Sequence, residues 1–560
     1  MLKRQRSKTV ITALLIIVMF ISMAGCGTGS TSSTTTGATT GTTSPNSEAT
    51  TTQAEPQDGP MVKYKEPVTI TVFNVTSASY TYIEGDSEDD NIHTRMNKEY
   101  LNIIYKSKWV VDESKLDEKI NLSIASDDLP DAMSVNASQL QNVIKNDQVQ
   151  SLDEVWKTYP TPELRANEEY QNKVAFLPST KDGVIYGLPL TGDYGESIPV
   201  MYVRKDWLEK LKLTAPKTID ELVAVSKAFV EDDPDGNNVK DTYAIELDNR
   251  FGRTTLESIA AAYGAYYQSW IKDSTGKIVY GSVQPEMKTA LAKMQELYLM
   301  GAFDPEFAIK DSSKAVEAVT AGKIGIYFGI YSGAIDPLLQ NKMNEPNVDW
   351  DVLPIPTVSS DDVIVPPAKP FTQRWVVVRK GYEHPEAVIK SMNLWFSTNY
   401  NANSPENKEW VAANGAEGKY NGRLAQVYAK PYYFMKVDGN STISKNLIKY
   451  NETKDKALYD QVSGFLDLIE KKDALGWAIG KVFYESVVVV SNYKTLKYPD
   501  YLGAPTTTQL SKGSSLDKLE AEAFVQIIMG APISEFDIFV EKWHKLGGDT
   551  IAEEINANMN

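Results

Sequence analysis

Cysteine and histidine are nearly absent from this chain of 560 residues: there is one cysteine, Cys26, and three histidines, His93, His384 and His544. A lone thiol excludes an intramolecular disulfide. The histidines are far apart and none stands in a His-x-x-x-His pattern, which argues against a zinc site. Base is scarce relative to acid, with 57 Lys and Arg against 74 Asp and Glu and a net charge of −17. That balance argues against nucleic acid and anionic lipid as partners. The sequence also lacks Gly-x-Ser-x-Gly, His-Glu-x-x-His and a Walker loop, so nothing identifies a nucleophile. Beyond the first 25 residues no long apolar run stands out, and no further membrane span is expected.

What is present begins at the N-terminus. Lys3, Arg4, Arg6 and Lys8 precede an almost wholly apolar run, Val10 to Ile21. This is the charged region and apolar core of a secretory signal over residues 1–25, too short for a comfortable span of about 20 residues. Met23-Ala24-Gly25-Cys26 resembles a bacterial lipobox. Small residues admit a peptidase, and the Cys26 thiol is the nucleophile suited to take a diacylglycerol. Residues 26–60 are mostly Ser, Thr and Gly with few acids. They cannot bury enough apolar surface to offset their ordering entropy, so they are expected to form a lipidated, flexible linker. The expected location is the extracellular face of the membrane, with contact through the lipid anchor only.

From residue 61 the pattern alternates. "PVTITVFNV" and "NIIYKSKWVV" read as strands with a helix between Asp90 and Leu101. Leu116 to Ile124 reads as a helix and Ala132 to Val135 as a strand. "TIDELVAVSKAFV" reads as a helix with Thr218 and Glu221 as a capping box. "SSKAVEAVTAGKIGIYFGI" reads as helix, turn and strand, "QRWVVVRK" as a strand and "HPEAVIKSMNLWF" as a helix. Residues 400–450 read as irregular surface, and the chain after Glu452 as mostly helix. Alternation of this kind is the α/β signature.

Four landmarks occur in order. "SIASDDLPDAMSV" (123–135) looks like the LPD turn of extracellular solute-binding proteins. "IYGLPL" and "IPVMYVRKDWLEKLKLTAPKTIDELVAVSKAF" (185–229) are similar to a strand, basic-Asp pair, Pro-Lys-Thr turn and helix in that family. "DPDGNNVKDTYAI" (233–245) resembles a calcium loop of the branch that includes alginate-binding proteins. "EAEAFVQIIMGAPISEFDIFVEKWHKLGGDTIAEEIN" looks like the C-terminus of large Paenibacillus-type lipoproteins. Together they resemble bacterial extracellular solute-binding protein family 1, the substrate-binding lipoproteins of ABC transporters. The resemblance implies a two-lobed α/β fold, the type II periplasmic-binding-protein-like fold, with ligand held between discontinuous lobes. Lobe 1 is expected over 61–190 plus 323–375, and lobe 2 over 191–322 plus 376–560. It implies a monomer that captures a carbohydrate, an oligosaccharide above all, and passes it to ABC permease subunits, with no catalysis.

A sugar cleft combines aromatic platforms with polar groups for hydroxyls. Candidates at strand ends are Asn136, Asp193, Tyr194, Tyr202, Trp270, Tyr331, Arg374 and Trp375. Each aromatic also has a plainer reading as core or surface filler. Trp270 draws notice because "AYGAYYQSWIKDSTGK" reads as a polar loop. Trp207 has the spacing of a core anchor and is left out. For Ca²⁺, Asp233, Asp235, Asn237 and Asp241 alternate, Val239 offers a carbonyl, and Gly236 permits a bend. The loop departs from an EF-hand at Ala244, where a bidentate Glu is missing, and from alginate-binding relatives at Thr242. Water or the Thr242 hydroxyl would complete the shell; a solvated acidic turn is the alternative. The rival functions are a secreted carbohydrate-active enzyme, a sensor or adhesin on the same fold, and a peptide-binding protein.

Overall fold

The computed structural model describes residues 58–76, 85–359, 365, 372–401, 403–414 and 434–559. Cys26, the expected signal segment and the linker up to residue 57 lie outside the described residues. The strands in chain order begin with β1 (Val68–Thr76), β2 (Ile103–Asp112), β3 (Ala132–Val135), β4 (Thr180–Lys181), β5 (Val184–Ile185), β6 (Leu188–Thr191) and β7 (Pro199–Arg204). They continue with β8 (Tyr243–Ile245), β9 (Trp270–Lys272), β10 (Ile278–Tyr280), β11 (Ile324–Ile330), β12 (Trp350–Leu353) and β13 (Thr372–Val378).

The first lobe is built on the parallel pair β1–β2 and the antiparallel sheet β3-β13-β6. β1 alternates buried and more open residues over its first half and is buried on both faces from Val72 to Val75, where it is covered on both. Val68, Ile70 and Val72 face one core, with the helix Pro385–Tyr400 against it. Phe73 and Val75 face a second core closed by the helices Leu116–Ala125 and Ala137–Lys145.

The second lobe carries the sheet β12-β7-β11-β8, in which β7 and β11 are antiparallel and β11 and β8 parallel. Alternation along β7 and β11 divides the side chains. Met201, Val203, Ile326 and Phe328 pack with the C-terminal helices Thr507–Ile528, Glu535–Trp543 and Asp549–Asn558. Val200, Tyr202 and Tyr327 pack with helices between 439 and 492. A Cβ at Gly325 would lie 2.2 Å from the Phe229 ring and 2.9 Å from Trp207. Glycine is therefore what lets these two rings rest on the β11 backbone. Trp207 is a core anchor, as its spacing predicts, and Thr218 and Glu221 form the predicted capping box.

Three expectations are corrected. β11 and β12 pair with β7, so residues 324–353 belong to the second sheet and not to the first lobe. The helix Pro385–Tyr400, Trp410 and Phe434 pack in the first lobe's core, so the chain does not leave that lobe near residue 375. The connections run instead from β6 to β7, from β12 to β13, and through residues 434–438 into the helix Gly439–Thr453. Residues 400–450 contain the helices Pro405–Asn414 and Gly439–Thr453, where irregular surface was expected. Finally, Ala474–Asn492 is long and apolar enough to cross a membrane by length and composition. Here Ala478, Ile479, Val482, Phe483, Val487 and Val490 are buried in the second lobe, which accounts for its apolar character.

Candidate functional site

Strand register brings the sequence candidates of the first lobe to one end of its sheet. β13 pairs with Thr372 beside Thr191 of β6 and Trp375 beside Val135 of β3. The end of β3, the end of β6 and the start of β13 therefore coincide, and they carry Asn136, Asp193 and Arg374. In the second lobe Ile330 of β11 pairs with Pro199 of β7, just after the first connection. Tyr331 follows Ile330, and the parallel strand β8 ends on the same side. The two sheet ends thus meet where the chain passes between lobes.

At that junction Asp193 is buried. Its Oδ1 accepts from Gly195 N at 2.9 Å, and its Oδ2 accepts from Asn440 N at 2.9 Å and Asn440 Nδ2 at 3.1 Å. Asn440 Nδ2 also donates to Tyr331 Oη at 2.6 Å. Met435 N donates to Thr191 O at 2.7 Å, and Asn167 holds the third connection by donating to Met435 O and accepting from Val437 N. Asp193 and Tyr331 are thus joined through Asn440. The sequence reading missed Asn440 because its segment carries no strand or helix periodicity strong enough to place it. Tyr194 opens the single turn Tyr194–Ser197.

On the first-lobe rim Arg374 donates from Nη2 to Ser134 O at 3.0 Å and pairs through Nη1 with Asp117 at 3.1 Å. Asn136 caps the helix Ala137–Lys145 in a reciprocal box with Gln139, whose amide reaches Asp117 as well. Arg374 and Asn136 therefore share one polar cluster, and the Asn136 side chain has a structural task.

Three aromatic candidates are placed otherwise than expected. Tyr202 is wholly buried, and its hydroxyl donates toward the Ile330 and Tyr331 carbonyls at 2.9 Å and meets Ser486 Oγ at 3.0 Å. Trp375 is buried beneath the first-lobe helices, with Nε1 donating to Ala175 O at 2.8 Å. Trp270 is not in a polar loop: it begins β9, is 9% exposed, and packs against Tyr280 and Trp543 with ring centroids 5.0 and 6.3 Å away. Each fills a core because a partner distant in sequence covers it.

The loop after β8 supplies groups that the sequence reading passed over. Asp248 organises it by accepting from Arg250 N at 2.7 Å and Gly252 N at 2.9 Å. Gly252 has φ of +75°, which glycine adopts without strain. Arg250 and Arg253 are exposed, and among the described residues neither guanidinium forms a hydrogen bond or ion pair. Behind them Glu246 is buried, with its carboxyl pushed up to about 8 by burial and then by the Asp248 charge. The only sequence signal for this loop was its position after a strand.

The acidic loop at 233–241 folds around its own side chains. Asn237 Nδ2 donates to Asp235 Oδ2 at 2.8 Å and to Asp241 Oδ1 at 3.0 Å, and Asn238 N donates to Asp233 Oδ2 at 3.1 Å. Lys323 pairs with Asp241 at 2.8 Å, and Lys210 Nζ donates to Pro234 O at 2.9 Å. Burial, and then the facing Asp233 and Asp241 charges, raise the Asp235 carboxyl. Among the described residues no group of three or more His, Cys, Asp or Glu is arranged to hold a metal. Asp233 Oδ1 is nonetheless buried, with no hydrogen-bond partner among the described residues. The Thr242 hydroxyl is turned to Phe229 O at 3.0 Å.

Comparison with known proteins adds four findings. The family model for bacterial extracellular solute-binding protein matches residues 97–402, more than half of the chain. The polygalacturonan/rhamnogalacturonan-binding protein YtcQ of Bacillus subtilis (strain 168) is 30% identical over 234 residues, 41% of this chain and 44% of YtcQ. The lipoprotein LipO of the same organism is 24% identical over 463 residues, 80% of this chain and 85% of LipO. Among solved structures, alginate-binding protein AlgQ2 without calcium ion aligns with a TM-score of 0.58 at 16% identity, covering 88% of this chain and 98% of AlgQ2. The match to YtcQ spans less than half of that protein, and the likeness to AlgQ2 is one of fold.

Proposed function

Because the chain belongs to the bacterial extracellular solute-binding protein family and has its two-lobed type II fold, we propose that it captures an extracellular oligosaccharide between the lobes and delivers it to an ABC importer. The observation that carries this reading is the meeting of the two sheet ends at the chain crossings. There Asp193, Asn440 and Tyr331 bind the lobes together, and Arg250 and Arg253 offer unengaged donors. Sugar hydroxyls and carboxylates take such donors, and the crossings allow closure by hinge motion. The names of YtcQ and AlgQ2 support a carbohydrate ligand. The protein acts in this reading as a monomeric carrier, not a catalyst.

The test is titration calorimetry of the mature protein with neutral and uronic oligosaccharides. Binding of one class is expected, and Arg253→Ala is expected to weaken it by roughly 1.5–3 kcal/mol, the range for hydrogen bonds to a charged group. Failure of every oligosaccharide to bind would overturn the reading.

The anchor belongs to the same proposal, supported by the lipobox and by likeness to LipO. Cys26→Ser is expected to move the protein from the membrane fraction to the soluble fraction. Retention at the membrane would refute the anchor.

Calcium is a further part of it. The donor set suits the ion: hard oxygens from Asp233, Asp235, Asn237 and Asp241, a carbonyl at Val239, and one buried carboxylate oxygen without a partner. Bound there, Ca²⁺ would neutralise facing carboxylates and stabilise the native state alone. Chelator is expected to lower the melting temperature of the parent and not of Asp235→Ala. Equal melting temperatures for the parent with and without chelator would remove the site.

A further inference from the structure

A cavity lies in the second lobe, between the β9–β10 hairpin and the C-terminal helices, with a volume of about 200 Å³. None of its lining residues belongs to the junction described above. Its wall is aromatic. Tyr280 and Trp543 are stacked at 5.1 Å with an interplanar angle of 2°, and Trp270 stands 5.0 Å from Tyr280. Its polar lining includes Asp517 and Gln268, and among the described residues no Lys, Arg or His lines it. One turn beyond Leu516 of the lining, Glu520 is buried, and among the described residues its Oε1 has no hydrogen-bond partner.

Two backbone features stand at the cavity lining. Gly513 lines it from within the 22-residue helix Thr507–Ile528, and no atom lies within 4 Å of the place its Cβ would occupy. Glycine in a helix interior is unfavourable relative to alanine, so its presence calls for a reason. A side chain there would enter the cavity. Gln268 adopts φ of +49°, an uncommon conformation for a residue with a side chain. Backbone held this way concentrates at sites where ligands are gripped.

Aromatic faces carry negative potential and attract cations. The Asp517 carboxylate on the same wall adds to this, and among the described lining residues no base opposes it. We propose that this cavity binds a small organic monocation with an alkylated ammonium head, seated against Trp270, Tyr280 and Trp543 with Asp517 as its counter-charge. A neutral sugar ring would also use aromatic faces. It would leave the one-signed charge of the wall uncompensated, and the cation compensates it.

The experiment is calorimetric titration of the full mature protein with choline chloride at constant ionic strength. 3,3-Dimethylbutan-1-ol serves as the neutral analogue of the same shape and glucose as the neutral sugar. Choline is expected to bind at least about tenfold more tightly than either neutral probe, tenfold being 1.4 kcal/mol. Asp517→Asn is expected to remove that preference. Gly513→Leu is expected to abolish choline binding, and Gly513→Ala to weaken it. Oligosaccharide binding in the cleft should be unchanged in both glycine variants, which also reports that they are folded. No choline binding, equal binding of choline and the neutral analogue, tighter binding of glucose, or choline binding retained in a folded Gly513→Leu would each overturn the proposal.

Discussion

The unfolding free energy is expected to fall as pH rises from about 4.5 to about 8, and Glu168→Gln is expected to remove part of that fall. Glu168 is wholly buried at the junction between lobes, and burial pushes its carboxyl up to about 8. Its Oε1 accepts from Thr191 Oγ1 at 2.9 Å and from Asn167 Nδ2 at 3.1 Å, which acts in the opposite direction. Among the described residues its Oε2 has no hydrogen-bond partner. Below about pH 4.5 the folded and unfolded chains both hold the carboxyl proton, and the contribution to stability is complete. Between about 4.5 and 8 only the folded chain holds it, so each pH unit costs up to roughly 1.4 kcal/mol. Above about 8 the loss is complete. Glu246, raised to about 8, and Glu520, raised to about 7, act with the same sign. The difference between parent and variant therefore isolates Glu168. Glutamine keeps an acceptor for Thr191 and Asn167 and has no proton to lose. Urea unfolding at pH 5, 6, 7 and 8 measures both proteins. Parallel pH profiles for the two would show that Glu168 is ionised in the folded state.

Trp270→Ala is expected to lower stability by about 3–5 kcal/mol, the cost of emptying a buried Trp site. Affinity for the oligosaccharide is expected to stay within twofold of the parent, since this residue packs against Tyr280 and Trp543 in the second lobe's core. Asp500 N donates to Trp270 O at 2.8 Å, so the variant also loosens the segment that covers the hairpin. Urea unfolding without ligand and calorimetry with ligand separate the two effects. A small stability change with a large loss of sugar affinity would return Trp270 to the cleft.

The sequence by itself determined what local rules decide. The strands β1, β2, β3, β7, β11 and β13 and the capping box at Thr218 were legible because alternation and capping chemistry act over a few residues. The family was legible because its landmarks occur in order. Tertiary structure alone decided which strands share a sheet: β11 and β12 join β7, and residues 385–414 return to the first lobe. Strand pairing is set by hydrogen bonds and packing between distant segments, and neither leaves a mark on one strand's pattern. The same reason governs the site. Asp193 and Tyr331 were found by their place at strand ends, but the Asn440 that joins them comes from a segment with no such signal. Trp270, Tyr202 and Trp375 have the composition of sugar platforms, and only the elements that cover them make them core. An aromatic ring contributes the same apolar area to a ligand as to a neighbouring helix, so its partner, and not its own sequence neighbourhood, fixes its role.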